Sequence, residues 1–306
     1  MNQEGQSVGG SSQKLPGAIK LLNGAFSIYK QKYLVIVGIA VVPALFGLFQ
    51  IVAGNMAVSV IFFTAAFLAT ALMFFSYLAF VSVITTESQS VGGAYKRSLQ
   101  MALPALWVSI LTSVAVVGGF FLLIVPGIIL SLLFSVSFYV LFVENRRGLS
   151  ALSSSWHYAK GYLWAIAWRF LFLSIILLLV NSAISFVTNG PSFLAPAAQA
   201  EVSLPYQLLY LLLSNFVVVP VSVIYAYGIY QALKKIKGVG PLEIDGQKIK
   251  RNITIFSIIG IVGIVAMIVF VWFVFVKVLF QDDASVQQFI LGAKEAQEAR
   301  GGQTLP

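Results

Sequence analysis

One stretch of this chain, residues 106–143, runs for 38 residues without a charged side chain. A single helix of that length would extend roughly 57 Å, whereas the hydrocarbon core of a bilayer is about 30 Å thick. The stretch is therefore too long for one transmembrane helix. Pro126-Gly127 lies near its middle, and such a dipeptide favours a turn. We predict two membrane-spanning helices, about residues 105–125 and 127–143, joined at Pro126-Gly127.

The composition of the whole chain agrees with a membrane protein. Of its 306 residues, 59% are hydrophobic and 9% are charged, against roughly 25% charged residues in a typical soluble domain. This excludes a soluble enzyme and a disordered chain, and the absence of cysteine excludes structural disulfides. Five further apolar stretches are long enough to span a bilayer: about residues 33–54, 57–84, 163–187, 206–232 and 253–280. The prediction is an all-α, polytopic helical bundle of about seven transmembrane helices.

Basic residues are distributed unevenly among the loops. Fifteen of the nineteen Lys and Arg residues lie in the N-terminal segment and in the loops after the second, fourth and sixth apolar stretches. The intervening loops contain none. Because basic loops are retained in the cytoplasm, we predict a cytoplasmic N-terminus in a bacterial cytoplasmic membrane, and seven spans would place the C-terminus outside. The net charge of +9 has the same cause, so we expect no nucleic acid partner.

A short segment of mixed polarity and helical spacing precedes each of the first three pairs of apolar stretches. These segments cover about residues 15–32, 91–103 and 149–162. Such segments can lie in the membrane interface with the apolar face down. The second and third match at a constant offset of 57 residues: Ala94 with Ala151, Ser98 with Ser155, Leu106 with Leu163, and Trp107 with Trp164. This pattern favours three units of interfacial helix plus transmembrane hairpin, and chance similarity between apolar segments is the alternative.

The chain then divides into four parts. Residues 1–14 are rich in Gly, Ser and Gln, and we predict them to be disordered. Residues 15–240 form the six-helix membrane domain built from the three units. Residues 241–280 contain a cytoplasmic loop and an additional transmembrane helix. Residues 281–306 form a C-terminal tail, in which 286–293 have the spacing of a short interfacial helix.

One segment, LLIVPGIILSLLFSVSFYVLFVENRRGLSALSSSWHYAKGYLWAI, carries a recognisable pattern. Its elements are Pro126-Gly127-Ile128, Glu144, Gly148, Ala151-Leu152, Ser155-Trp156, Lys160-Gly161 and Trp164. The pattern resembles the membrane domain found beside glycerophosphoryl diester phosphodiesterases and in related bacterial multi-pass proteins. The later stretch VVVPVSVIYAYGIYQALKKIK is similar too.

The resemblance covers roughly residues 15–240. It implies a six-helix membrane domain without known chemistry, in which Pro126, Gly127, Ser155 and Trp156 belong to a packing motif. This chain departs from the family because no phosphodiesterase domain follows and a seventh span is added.

Side chains suited to catalysis are missing from the apolar stretches. All ten Asp and Glu residues fall in predicted loops or tails, whereas ion-coupled transporters usually carry a carboxylate at membrane depth. His157 is the single histidine and cannot form a metal site alone. We therefore predict no catalytic residue, no metal site and no cofactor, and we expect a structural role for His157.

Arg169 is the one charged residue well inside an apolar stretch. A central arginine costs about 2.5–3.5 kcal/mol on insertion scales, and less where the side chain can reach the interface. Two roles are open for it. Arg169 can be an interfacial anchor together with Trp164 and Trp168, or it can bind a lipid phosphate or an anionic substrate.

These observations favour a non-enzymatic accessory, scaffold or lipid-interacting protein. Its expected partners are the lipid bilayer, anionic lipid headgroups and other membrane proteins. The alternative is a transporter or permease component for a hydrophobic or amphipathic solute. The missing intramembrane carboxylates count against ion coupling and against an intramembrane enzyme.

Overall fold

The computed structural model describes residues 14–53, 60–86, 90–189, 204–238, 247, 250–274 and 276–277. Every regular element in these ranges is a helix, which confirms the all-α prediction. The helices are α1 (Ala18–Gln31), α2 (Tyr33–Ala53), α3 (Val60–Thr85), α4 (Val91–Leu122), α5 (Ile124–Phe134), α6 (Ser137–Glu144), α7 (Leu149–Ala159), α8 (Leu163–Asn189), α9 (Leu204–Leu213), α10 (Val219–Lys237) and α11 (Lys250–Val274). The predictions for residues 1–13 and for the tail 281–306 lie outside the described residues.

Seven helical segments within the described ranges are long and apolar enough to cross a membrane. Five of these spans contain or consist of a single helix: α2, α3, α4, α8 and α11. The fourth span joins α5 and α6, with a break at Ser135-Val136, and the sixth joins α9 and α10 through a π-helical turn at Ser214–Val218. The chain is therefore a multi-pass membrane protein, as its sequence predicts.

The predicted turn between the third and fourth spans is wrong by three residues. The chain turns at Leu123, which is extended, and Pro126 is the third residue of α5. Proline is tolerated there because the first N–H groups of a helix have no partner within the helix. Gly127 instead allows α5 to approach α4, since a Cβ atom at this position would overlap the ring of Phe120.

The predicted interfacial helix at residues 91–103 is not a separate element. It continues into the third span as α4, and the helix is not interrupted at Pro104. The carbonyl that loses its donor at this proline belongs to Gln100, which is exposed. By contrast, α1 and α7 are separate helices, as predicted, and the polar and small side chains Ser153, Ser154 and Ser155 of α7 are buried within the bundle.

Three of the four pairs matched by the 57-residue offset have similar burial, whereas Leu106 is exposed and Leu163 is half-buried. Ala94, Ala151, Ser98 and Ser155 are fully buried, whereas Trp107 and Trp164 are exposed. The serine hydroxyls, however, donate to different carbonyls, that of Ala94 in one unit and that of Leu133 in the other. The three-unit organisation stays a prediction.

Two prolines inside membrane-spanning segments are compensated in the same way. Pro43 deprives the carbonyl of Ile39, four residues earlier, of its helical donor. The hydroxyl of Tyr95 on α4 donates to that carbonyl at 3.2 Å. A neighbouring helix thus supplies the hydrogen bond that the proline removes, which is how transmembrane helices tolerate such breaks.

Pro220 repeats this arrangement beside the π-helical turn. The carbonyl four residues before it is that of Phe216, and the hydroxyl of Tyr29 on α1 donates to it at 2.8 Å. Burial and the neighbouring Tyr33 raise the pKa of Tyr29, so its hydroxyl stays protonated and can donate.

The ends of several helices meet on one side of the bundle, through contacts made by basic side chains. Lys32 donates to the carbonyls of Val83 and Thr86 at the end of α3. Arg97 donates to the Thr86 hydroxyl at 2.8 Å and to the carbonyl of Phe142 at 3.1 Å. The N-terminal segment and the loops after the second and fourth spans therefore share one face, which we call the basic face.

Helix α11 packs on α4 through glycines. A Cβ atom at Gly260 would overlap the carbonyl oxygen of Val114, and one at Gly118 would overlap that of Phe256. Small residues of this kind let two transmembrane backbones approach closely. The remaining surface of α11 is largely exposed and apolar, as expected for a helix that faces lipid.

Candidate functional site

The structure places Arg169 among backbone carbonyls. Its guanidinium donates from Nε to Pro16 at 2.8 Å, from Nη2 to Leu15 at 2.8 Å and to Pro16 at 2.6 Å, and from Nη1 to Ala165. The residue is only 8% exposed, and its own carbonyl accepts from the hydroxyl of Tyr225 at 3.0 Å. Arg169 therefore ties the segment before α1 to α8 and α10. This geometry favours a structural role, and phosphate binding by Arg169 stays a prediction.

Trp164 and Trp168 lie apart from these hydrogen bonds. Their side chains are 84% and 55% exposed, so both rings face outward from α8. Exposed tryptophans near the end of a spanning helix are typical of the membrane–water interface. The structure thus separates the two tryptophans from the guanidinium with which the sequence grouped them.

Glu144 is the only acidic residue within the described ranges. Its carboxylate accepts from the hydroxyls of Tyr158 and Tyr230, both at 2.8 Å. It also forms ion pairs at 3.3 Å with Nε of Arg146 and with Nζ of Lys234. The side chain is 10% exposed, whereas both cations are about one third exposed. Glu144 therefore joins the end of α6 to α7 and α10, and brings the end of α10 to the basic face.

The core around this carboxylate is rich in tyrosine. Tyr139, Tyr158, Tyr225 and Tyr230 are among the largest fully buried side chains. Tyr139 donates to the carbonyl of Val223 at 2.8 Å, and the other three donate to Glu144 or Arg169 as described above. A buried hydroxyl without a partner costs about 1–3 kcal/mol, so these pairings fix how the helices pack. Glu144 is held as an acceptor by two hydroxyls and two cations, which favours a structural role.

A cavity of about 470 Å³ opens between α5, α7, α8 and α11, and we call it the α7 cavity. Most of its described lining is apolar, and three of the described lining side chains are polar or charged: His157, Lys160 and Asn252. The apolar lining consists of Pro126, Ile129, Leu130, Leu133, Trp156, Leu163 and Phe256. Its volume falls in the range of about 300–1,000 Å³ that is usual for ligand pockets.

The family-like motif contributes to the α7 cavity. Pro126 and Trp156 line it directly. The ring of Trp156 packs on that of Phe134, with 6.1 Å between the ring centroids. Ser155 points elsewhere and donates to the carbonyl of Leu133 at 2.6 Å. Gly127 permits the contact between α4 and α5 described above. These four residues therefore shape the cavity wall and its support.

A second cavity of about 380 Å³ lies between α8 and the region of the π-helical turn. Its polar lining includes Ser174, Asn181, Tyr210 and Ser214, and its remaining lining residues are apolar. Asn181 accepts from the hydroxyl of Tyr206 at 3.1 Å. Single turns of π-helix frequently occur at functional sites.

The described part of the chain holds no group of three His, Cys, Asp or Glu side chains that could bind a metal ion. The α7 cavity and its lysine were not predicted from the sequence. The spacing of Trp156, His157 and Lys160 was the available signal, because these residues fall on one side of a helix while Ser155 and Tyr158 fall on the other.

Comparison of the chain with protein-family models, with curated proteins and with solved structures finds no match in any of the three. The resemblance to the membrane domain of the glycerophosphoryl diester phosphodiesterase family therefore stays a prediction. Any functional conclusion has to rest on the cavities and on the side chains that line them.

Proposed function

We propose that this multi-pass membrane protein is a non-enzymatic, lipid-interacting protein that holds the acyl portion of a lipid in the α7 cavity. The observation that carries the proposal is the lining of that cavity, which is apolar along α5 and polar at the end of α7 and the start of α11. A lipid has the same division between chain and headgroup. An acyl chain in the bilayer is already out of water, so its retention in the cavity depends on close packing against the apolar walls and on contacts of the headgroup.

A bulky side chain in the cavity tests this proposal. Ile129 lines the cavity and is partly exposed, so Ile129→Trp should fill it without disturbing the buried core. The matched control is Ile175→Trp on α8, which is similarly exposed and lines neither of the two cavities described above. Native mass spectrometry of the detergent-solubilised protein should find a retained lipid in the wild type and in the control. Equal lipid retention in Ile129→Trp would contradict the proposal.

The proposed location is a bacterial cytoplasmic membrane, with the N-terminus in the cytoplasm and the C-terminus outside. Support comes from the basic face, where the N-terminal segment meets the loops after the second and fourth spans and the end of α10. Loops that touch each other lie on the same side of the membrane. Their excess of Lys and Arg favours the cytoplasmic side.

The alternative function, a transporter or permease component for a hydrophobic or amphipathic solute, has one observation in its favour. The sixth span is interrupted by the π-helical turn and Pro220, and the second cavity adjoins this interruption. Transporters often bind substrate where a membrane helix is discontinuous.

A transbilayer assay separates the two functions. Vesicles containing the purified protein and a fluorescent, short-chain phosphatidylcholine are treated with dithionite, which bleaches the outer leaflet alone. A lipid-binding protein should leave about half of the fluorescence, because the inner leaflet stays protected. Loss of the protected half, relative to protein-free vesicles, would favour the transporter.

A further inference from the structure

We propose that Lys160, with His157 and Asn252, binds the phosphate of an anionic phospholipid whose chains occupy the α7 cavity. This inference rests on the proposed function and adds the charge and chemistry of the ligand. It also assigns the anionic headgroup to a residue other than Arg169, whose guanidinium is directed to the carbonyls of Leu15, Pro16 and Ala165.

Among the described residues that line the cavity, Lys160 is the only formally charged one. Its side chain is exposed, and the ammonium makes no hydrogen bond or ion pair with any described residue. A lysine ammonium is a compact charge with three donors, which suits a phosphate oxygen. His157 and Asn252 lie in the same lining and add polar groups that can form hydrogen bonds.

No described carboxylate competes for this lysine. Glu144, the only acid in the described ranges, is already paired with Arg146 and Lys234 and accepts from two tyrosine hydroxyls. The positive charge of Lys160 is therefore available to a ligand. A monoanionic phosphodiester would neutralise it, whereas a zwitterionic headgroup would bring a second positive charge to the same place.

The buried contacts of α7 orient Trp156, His157 and Lys160 toward the cavity. Tyr158 is held by Glu144 at 2.8 Å, and Ser155 is held by the carbonyl of Leu133 at 2.6 Å. At 3.6 residues per turn, Trp156, His157 and Lys160 project from the opposite side of the helix. The buried contacts of one side thus fix the orientation of the other.

The apolar walls commit the site to a lipid rather than to free phosphate. Ile129, Leu130 and Leu133 of α5 form an apolar wall of the cavity. Inorganic phosphate would use the lysine alone and would leave these walls without a partner. A phospholipid matches both parts, with its phosphate at Lys160 and its chains along α5.

The test compares two lipids that differ only in headgroup. The full-length protein in detergent is titrated with phosphatidylglycerol and with phosphatidylcholine of identical chains, and bound lipid is measured by native mass spectrometry. Phosphatidylglycerol should bind more tightly, by about fivefold, since one surface lysine contributes about 1 kcal/mol toward an anionic lipid. Lys160→Gln should remove this preference, and Lys160→Arg should retain it.

Two controls distinguish a headgroup site at Lys160 from a general effect of positive charge and from a site for free phosphate. Lys96→Gln removes an exposed lysine outside the cavity and should leave the preference intact. Inorganic phosphate at millimolar concentration should not displace phosphatidylglycerol. Displacement of phosphatidylglycerol by inorganic phosphate would overturn this inference. So would a preference for phosphatidylglycerol that persists in Lys160→Gln.

The outcomes also separate this inference from the proposed function. If both lipids bind with equal affinity and Ile129→Trp abolishes the binding of both, the α7 cavity binds lipids without selecting the charge of the headgroup. In that case only the role of Lys160 fails. If Ile129→Trp affects neither lipid, the lipid-binding function itself fails, and the role of Lys160 fails with it.

Discussion

Replacing Tyr95 by phenylalanine tests whether a tyrosine hydroxyl compensates for the proline in α2. The hydroxyl donates to the carbonyl of Ile39 at 3.2 Å and also pairs with the hydroxyl of Ser76 at 3.0 Å. An unpaired buried group costs about 1–3 kcal/mol, whereas side-chain hydrogen bonds between transmembrane helices average about 0.6 kcal/mol. We expect Tyr95→Phe to lower the free energy of unfolding by about 1–2 kcal/mol.

The decisive measurement is a double-mutant cycle with Pro43→Ala. Alanine restores an N–H group at position 43, which can bond to the carbonyl of Ile39 as in a regular helix. Loss of the Tyr95 hydroxyl should then cost less, by at least about 0.5 kcal/mol. Unfolding of the purified protein in mixed micelles, driven by a denaturing detergent, gives the four free energies. Tyr33→Phe, at a half-exposed residue, is the control. Strictly additive effects would refute the compensation.

Three further predictions concern packing, charge and orientation. In the same unfolding assay, Gly260→Ala should weaken the contact of α11 with α4 by about 1–3 kcal/mol, because the added Cβ atom would overlap a backbone carbonyl. The control Gly24→Ala has open space around it and should be neutral or stabilising. Glu144→Gln should lower the free energy of unfolding by about 2 kcal/mol, because two cations lose their partner; an unchanged stability would contradict a structural role for the carboxylate. A single cysteine at Asn55 should react with an impermeant thiol reagent in intact cells, and one at Gly238 should not; the reverse labelling would invert the proposed orientation.

Hydropathy was sufficient to predict the membrane spans, but it did not predict which residues of different helices contact each other. The length of an apolar run and the thickness of a bilayer together determine whether a segment can cross, so the seven spans follow from local sequence. Besides the local carbonyl of Ala165, the partners of the Arg169 guanidinium are Leu15 and Pro16, more than 150 positions earlier in the chain. Glu144 and Tyr230 are 86 positions apart. No local pattern relates such residues, because they meet only when the helices pack.

The misplaced turn has a similar origin. Proline and glycine favour turns as a dipeptide, but proline is equally suited to the first turn of a helix, where its missing N–H has no cost. The close approach of α4 and α5 requires Gly127 inside α5 rather than in the loop. Packing between two helices therefore decided between two conformations that the local sequence allows.

The depth of Arg169 in an apolar stretch made it the most conspicuous candidate in the sequence, while Lys160 was one basic residue among many in a loop. The difference in burial between these two side chains makes Lys160 the better candidate for binding a ligand. A buried guanidinium has to satisfy its donors within the protein, and Arg169 does so with backbone carbonyls. An exposed ammonium beside an apolar cavity has no such constraint, so it is the better position for binding a ligand from the bilayer.

The seventh helix contributes to the candidate site. Asn252 and Phe256 of α11 form one wall of the α7 cavity. Most of the remaining α11 surface is exposed, so its attachment depends on the close crossing at Gly118 and Gly260. A substitution that widens this crossing should therefore open the cavity as well as weaken the helix contact. Ligand retention and α11 packing are in this way linked, because the same helix supplies the wall and depends on the glycines for its position.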